Sequence, residues 1–142
     1  MSPGESIKSV YSNYANFKGR AMRSEFWWYT LFNVVVGTAL DVVIPAVSSI
    51  WTLANLLPAL AVTARRLHDV DRSGWWMLLP LLCLPVLVPA IVIESAALMW
   101  IGGAIGVALY IRVIVWHATV GTQGANRFGE DPLGRVDADV FT

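Results

Sequence analysis

Three short segments of this chain carry most of the side chains that could form a functional site. They are GRAMRSEFWW (19–28), RRLHDVDRSGWW (65–76) and GTQGANRFGEDP (121–132). Their basic residues are Arg20, Arg23, Arg65, Arg66, His68, Arg72 and Arg127. The acids and amides that could pair with them include Glu25, Asp69, Asp71, Asn126 and Asp131. The planar fork of arginine suits paired hydrogen bonds to carboxylate or phosphate, so both partners must be considered.

Two compatible interpretations follow from these residue types. In the first, the acids pair with the arginines and form a structural lock that fastens distant segments together. In the second, the basic residues bind an anion, and the nearest phosphate is that of an anionic lipid headgroup. Of these two interpretations, we favour the structural lock.

Catalysis is a third interpretation, with His68 as a general base oriented by Asp69 or Asp71. The segments offer no obvious nucleophile, because Ser73 is better explained as a helix cap. His68 and His117 are too few ligands for a zinc site. We therefore assign no catalytic residue, metal or cofactor from the sequence.

The composition indicates that these segments belong to a membrane protein. Hydrophobic residues make up 56% of the 142 residues and charged residues only 14%, against about 25% in soluble domains. Residues 26–64 and 74–111 each contain one charge, Asp41 and Glu94. Since about 20 helical residues cross a bilayer, each run fits two crossings. The sequence predicts an all-α membrane protein with four transmembrane helices as two hairpins. The predicted spans are about 26–44, 47–64, 75–93 and 96–115.

Several local signals refine this prediction. Ser24 could cap the first span, and Pro45 with Ser48 and Ser49 could form its outer turn. Pro58 should kink the second span, with neighbouring helices bonding the freed carbonyl. Three prolines predict a bent helix or an irregular stretch in the third span. They are Pro80, Pro85 and Pro89. Cys83, among leucines of that span, reads as an inert apolar residue.

Residues 1–22 and 117–142 flank this transmembrane domain. Ser2 and Glu5 have the spacing of a capping box, and apolar residues then recur every three or four positions. The pattern predicts a short amphipathic helix lying on the membrane surface, with a helix packed only against protein as the alternative. The segment 117–142 is predicted to be a turn-rich tail, with disorder from Val136 onward.

The distribution of charge predicts the orientation. All ten basic residues lie before the first span, in the central loop, or at and beyond the end of the fourth span. The predicted outer turns near 41–49 and 93–96 contain none. The positive-inside rule therefore predicts that both termini are cytoplasmic, and an even number of spans also places them on one side.

Small residues in the fourth span predict close helix packing. Gly102 and Gly106 are one helical turn apart and allow a neighbouring helix to approach. Packing within the monomer is the favoured interpretation, and a homo-oligomer through the same face is the alternative. The expected partners are membrane lipids, chiefly anionic ones, and not nucleic acid.

The three polar segments, in this order and context, resemble the domain of unknown function 805 family of small bacterial inner-membrane proteins. The resemblance covers about residues 7–133. It implies a four-helix protein of the bacterial inner membrane with cytoplasmic termini, and it brings no established activity, substrate or catalytic residue. Val70-Asp71 departs from the family pattern, which often has a small polar residue or glycine there, and it adds a second acid beside His68.

These observations predict an interaction or membrane-organising protein whose cytoplasmic Arg/Asp/His cluster contacts anionic lipid headgroups. Two alternatives remain open at this point. One is a small oligomeric transporter or channel, and the other is a membrane enzyme acting on a phosphate-bearing lipid.

Overall fold

A computed structural model describes residues 1–135, and its regular elements are all helices. The helices are α1 (Pro3–Ser12), α2 (Arg23–Val43), α3 (Pro45–Asp69), α4 (Leu84–Val92) and α5 (Ala96–Ala118), with a 3₁₀ helix (Gly74–Cys83) that runs directly into α4. The predicted disorder from Val136 onward lies outside the described residues.

Four helical stretches are long and apolar enough to cross a membrane. They are α2, α3, the third span formed by the 3₁₀ helix with α4 (Gly74–Val92), and α5. Leu53 and Val107 leave 71% and 59% of their surface exposed on the outside of the bundle. Such an apolar exterior suits lipid, where the surrounding solvent is hydrocarbon. The predicted all-α fold with four apolar helices is confirmed.

Helix α3 holds the two hairpins together. It packs against α2 in the first hairpin, and on its other side it contacts the 3₁₀ helix and α5 of the second. Its inner face is lined by small residues such as Ala61 and Ala64, both buried. A Cβ atom added at Gly74 would lie 2.8 Å from the Cβ of Ala64, so glycine lets the loop backbone approach α3 closely.

Helix α1 begins with the predicted capping box and packs against α2 and α3. The Tyr14 hydroxyl, just beyond α1, donates to the carbonyl of Ala54, and the Tyr11 hydroxyl donates to Asn55 Oδ1 at 2.6 Å. Pro58 has no N–H, which leaves the Ala54 carbonyl without its usual helical donor. The freed carbonyl is therefore bonded by a tyrosine beside α1 and not by another transmembrane helix. Burial raises the pKa of Tyr11.

The prolines of the third span coincide with a change of helix type. Ten residues containing Pro80 form a 3₁₀ helix, which is long for this geometry, and α4 then carries Pro85 and Pro89. Facing this span, Gly102 and Gly106 lie against Leu87 and Cys83. The small-residue face of α5 is thus covered within the monomer.

Three local predictions are wrong. Helix α2 starts at Arg23 with Met22 at the N-cap position and no side-chain cap, so Ser24 does not cap it. The outer turn is Ile44 alone, because Pro45 already opens α3 and Ser48 is helical. Helix α3 continues through residues 65–69, which the sequence assigns to the central loop, because Arg65 pairs with Glu25 of α2 and Asp69 pairs with Arg20 of the N-terminal linker.

Candidate functional site

Asp69, the last residue of α3, lies at the centre of the polar end of the bundle. The Nε group of Arg20 donates to Asp69 Oδ1 at 2.9 Å, and Nη2 of Arg20 lies 2.9 Å from the same oxygen. The Nη1 group of Arg66 donates to Oδ2. All three side chains are buried, and Arg66 has no exposed surface. We refer to Arg20, Arg66 and Asp69 as the lock.

The lock joins three separate parts of the chain. Arg20, in the linker between α1 and α2, donates from Nη2 and Nη1 to the carbonyls of Thr122 and Gly124, each at 2.6 Å. Arg66 donates from Nε to the carbonyl of His117 at 2.9 Å and from Nη2 to that of Thr119. The backbone N–H of Thr122 donates to the Asp69 carbonyl at 2.9 Å. The N-terminal linker, α3 and the segment after α5 are therefore held at one point.

Gly121 allows the tail to pass this close to the lock. A Cβ atom at Gly121 would overlap the Asp69 carboxylate, so any side chain there must displace the acid or the tail. Gly121→Ala is expected to lower the free energy of unfolding by about 1–3 kcal/mol, as overpacking of a filled interior does. Gly103→Ala is the matched control, because its Cβ would meet nothing within 4 Å. Unfolding measured in bilayer discs checks this, and equal stability of the two variants would contradict it.

A second buried ion pair connects α2 to α3. Arg65 Nη1 lies 3.0 Å from Glu25 Oε1, which also accepts from the Ser9 hydroxyl of α1 at 3.0 Å. The backbone N–H of Ala21 donates to the Arg65 carbonyl at 3.0 Å. Nε and Nη2 of Arg65 are buried and have no hydrogen-bond partner within the described chain.

His68 is not oriented by an acid, contrary to the catalytic interpretation. Its Nδ1 lies 3.0 Å from the carbonyl of Gly19, which can only accept, so Nδ1 carries the proton. Its ring stacks on Phe128 with centroids 3.9 Å apart. Asp69 is committed to the lock, and the carboxylate of Asp71 pairs with Arg127. His68 therefore fastens the tail by stacking, and the dyad with Asp69 or Asp71 is wrong.

The remaining predicted acids and amides bind the tail in different ways. Asn126 donates from Nδ2 to the His68 carbonyl at 2.9 Å, whereas Asp71 and Arg127 form an ion pair of which both side chains are about half exposed. The hydrogen bond from the Arg135 guanidinium lowers the pKa of Asp131 to about 2. Arg135 was not predicted, although its spacing of four residues from Asp131 was a usable signal.

The predicted arginines thus separate into a buried group that is paired with acids and an outer group that is not buried. Arg20, Arg65 and Arg66 are buried and paired with acids of the chain. Arg23 is exposed, and Arg72 lies over the ring of Trp116 with its guanidinium carbon 4.3 Å from the centroid. The structure adds Arg112, whose guanidinium carbon lies 5.4 Å from the same centroid.

An apolar groove of about 410 Å³ opens beside His68 and Ser73. Its walls come from the linker after α1, from α3 and from the start of the third span, and include Phe17, Leu60 and Trp75. The Ser73 hydroxyl accepts from the N–H of Trp75 at 3.5 Å, as the predicted cap requires. Within residues 1–135, no hydrogen bond joins the Ser73 hydroxyl to the ring of His68, whose Nδ1 bonds the Gly19 carbonyl.

Comparison with known proteins gives this arrangement a family. Residues 14–130 match the family described as "Protein of unknown function (DUF805)". The chain belongs to this family. It is 39% identical over 131 residues to "Inner membrane protein YhaI" of Escherichia coli (strain K12), covering 87% of this chain and 92% of that protein. "Inner membrane protein YhaH" of the same organism is 34% identical over 134 residues, with the same coverage.

A third relative, "Uncharacterized protein YiiR" of Escherichia coli (strain K12), is 33% identical over 127 residues. The alignment covers 82% of this chain and 85% of that relative. No solved structure matches the chain. With four apolar helices and relatives named as inner-membrane proteins, this protein is an integral inner-membrane protein.

Proposed function

We propose that this protein is an interaction or membrane-organising protein of the inner membrane, whose activity is binding and not chemistry. The observation that supports this most is the lock. Both carboxylate oxygens of Asp69 accept hydrogen bonds from arginines. The guanidinium groups of Arg20 and Arg66 donate to this acid and to backbone carbonyls. A cluster bonded in this way fixes a polar surface at one end of the bundle, and its groups are not free to act on a substrate.

We place the polar end, with both termini, in the cytoplasm. The positive-inside rule supports this orientation, since the basic residues gather at this end and Asp41 and Glu94 lie toward the other. A reporter that is active only in the cytoplasm is expected to work when fused to either terminus. The same reporter inserted after Glu94, between α4 and α5, is expected to be silent. Activity at Glu94 with silence at the C-terminus would reverse the orientation.

The partner that this polar end fits best is anionic lipid. The buried arginines are already paired, so the lipid contacts fall to the outer basic residues, among them Arg23 and Arg72. Each basic group near an anionic surface contributes about 1 kcal/mol, and salt screens the attraction. We expect the protein to melt at a higher temperature in discs containing phosphatidylglycerol than in phosphatidylcholine alone, and the difference to shrink as salt is raised. Identical melting in both lipids would contradict lipid binding.

The alternatives have less support from the geometry. A coupling site for transport is expected near the bilayer midplane, whereas Asp41 lies near the end of α2 and Glu94 lies in the turn between α4 and α5. A lipid-directed enzyme would need an activated nucleophile, and in the part of the chain that the structure describes no base bonds the Ser73 hydroxyl.

A further inference from the structure

Two arginines from distant parts of the chain meet on one indole ring. Arg72 precedes the third span, Arg112 lies in the last part of α5, and both guanidinium groups lie over the ring of Trp116. Trp76 meets that ring edge-on, with centroids 5.7 Å apart. Trp116 itself is buried, packed with Leu67 of α3. The ring is therefore a fixed platform that brings two positive charges together.

Neither guanidinium has a carboxylate partner among residues 1–135. The ion pairs of this region are formed by other arginines, and the Nε and Nη groups of Arg72 and Arg112 donate no hydrogen bond to the described chain. Stacking on an indole favours each cation, but two like charges on one ring repel each other. An anion with several acceptor oxygens beside both groups removes this repulsion and uses their free N–H donors.

The depth of the pair identifies the source of such an anion. Arg112 lies six residues before Ala118, or roughly 9 Å inside the end of α5, and its side chain is exposed on the outer surface of the bundle. A long side chain at that depth extends toward the headgroup layer. Trp75 and Trp76, exposed at the start of the third span, mark the same layer. The phosphate that is present at this level of a bilayer belongs to a phospholipid.

We propose that Arg72 and Arg112 together bind the headgroup phosphate of an anionic phospholipid, with Trp116 as the platform that positions them. This rests on the lipid contact proposed above and assigns it to one site. Arginine suits the role because its planar fork binds two phosphate oxygens at once. An anionic lipid is favoured over a zwitterionic one because its headgroup brings no further cation close to the two guanidinium groups.

Lipid titration followed by native mass spectrometry tests the site. The purified full-length protein is titrated with phosphatidylglycerol, and the double variant Arg72→Gln, Arg112→Gln is compared with Lys8→Gln, Lys18→Gln. The second double variant is a matched control, because it removes two exposed positive charges from the N-terminal segment and leaves Trp116 untouched. We expect the first to weaken phosphatidylglycerol binding about tenfold or more and the control to change it less than about twofold.

Further arms separate the outcomes. The variant Arg72→Lys, Arg112→Lys keeps both charges, so it stays informative if the glutamine variant fails to fold, and it is expected to lose binding severalfold because the fork is gone. Equal losses in the site and control variants would overturn this site and leave general lipid attraction standing. No response of the wild type to phosphatidylglycerol would overturn both proposals. Competition by inorganic phosphate would also overturn the lipid assignment.

Discussion

Replacing Asp69 by asparagine is expected to lower the free energy of unfolding by about 3–5 kcal/mol. The substitution keeps the shape of the side chain and removes only its charge. It leaves Arg66 buried without an acid, and it leaves Arg20 with only Asp131, whose Oδ1 lies 3.9 Å away. An uncompensated buried charge is among the most destabilising changes that a single substitution can make. Equilibrium unfolding in bilayer discs measures the loss.

Asp71→Asn is the matched control for this prediction. It also removes one carboxylate charge, two residues further along the chain, where Asp71 pairs with Arg127 and both side chains are about half exposed. Exposed ion pairs contribute about 0–1 kcal/mol, so this variant should unfold nearly as the wild type does. If Asp69→Asn were no more harmful than Asp71→Asn, the lock would not stabilise the fold.

Arg66→Ala is expected to lower the free energy of unfolding by a similar amount, about 3–5 kcal/mol, for a different reason. Asp69 keeps Arg20 as a partner, but the carbonyls of His117 and Thr119 lose their donor and a fully buried side chain leaves a void. Because those carbonyls lie at the end of α5, the end of that helix should loosen first. Faster hydrogen exchange there, compared with the middle of α5, would show this.

Two further variants define what Arg66 does. Arg66→Lys keeps the charge but cannot reach three acceptors with one ammonium group, so an intermediate loss is expected. Arg127→Ala removes an arginine whose side chain is 61% exposed, and it should change stability by less than about 1 kcal/mol. An Arg66→Lys variant as stable as wild type would mean that charge alone matters at this position.

The sequence could predict the spans and the polar cluster because these depend on local composition. Apolar runs with one charge each require the membrane, and Ser2, Glu5 and Ser73 have capping spacings that act within a few residues. The end of α3 could not be predicted in the same way. Arg65 and Arg66 look like loop residues, but Glu25 of α2 pairs with Arg65, and the distant carbonyls of His117 and Thr119 accept from Arg66.

Other features of the site depend on contacts that no local pattern records. Gly121 reads as a turn residue, yet its role is to leave room for the Asp69 carboxylate. From the sequence, Arg112 is expected to extend alone toward the headgroup layer. In the structure, its guanidinium lies over the Trp116 ring together with that of Arg72. The proline pattern predicts that a neighbouring helix bonds the Ala54 carbonyl, and the donor is Tyr14, just beyond the end of α1. Each of these contacts joins residues that are forty or more positions apart in the sequence.

The most direct test of the account is the unfolding of wild type and Arg66→Ala in two kinds of bilayer disc, phosphatidylcholine alone and phosphatidylcholine with phosphatidylglycerol. His68→Ala is included as a second member of the polar cluster. If the cluster is a lock, Arg66→Ala loses the same large amount of stability in both lipids, and His68→Ala loses a smaller amount in both. If the variants are as stable as wild type in phosphatidylcholine and differ only when phosphatidylglycerol is present, the cluster is a lipid-binding site and the lock is wrong.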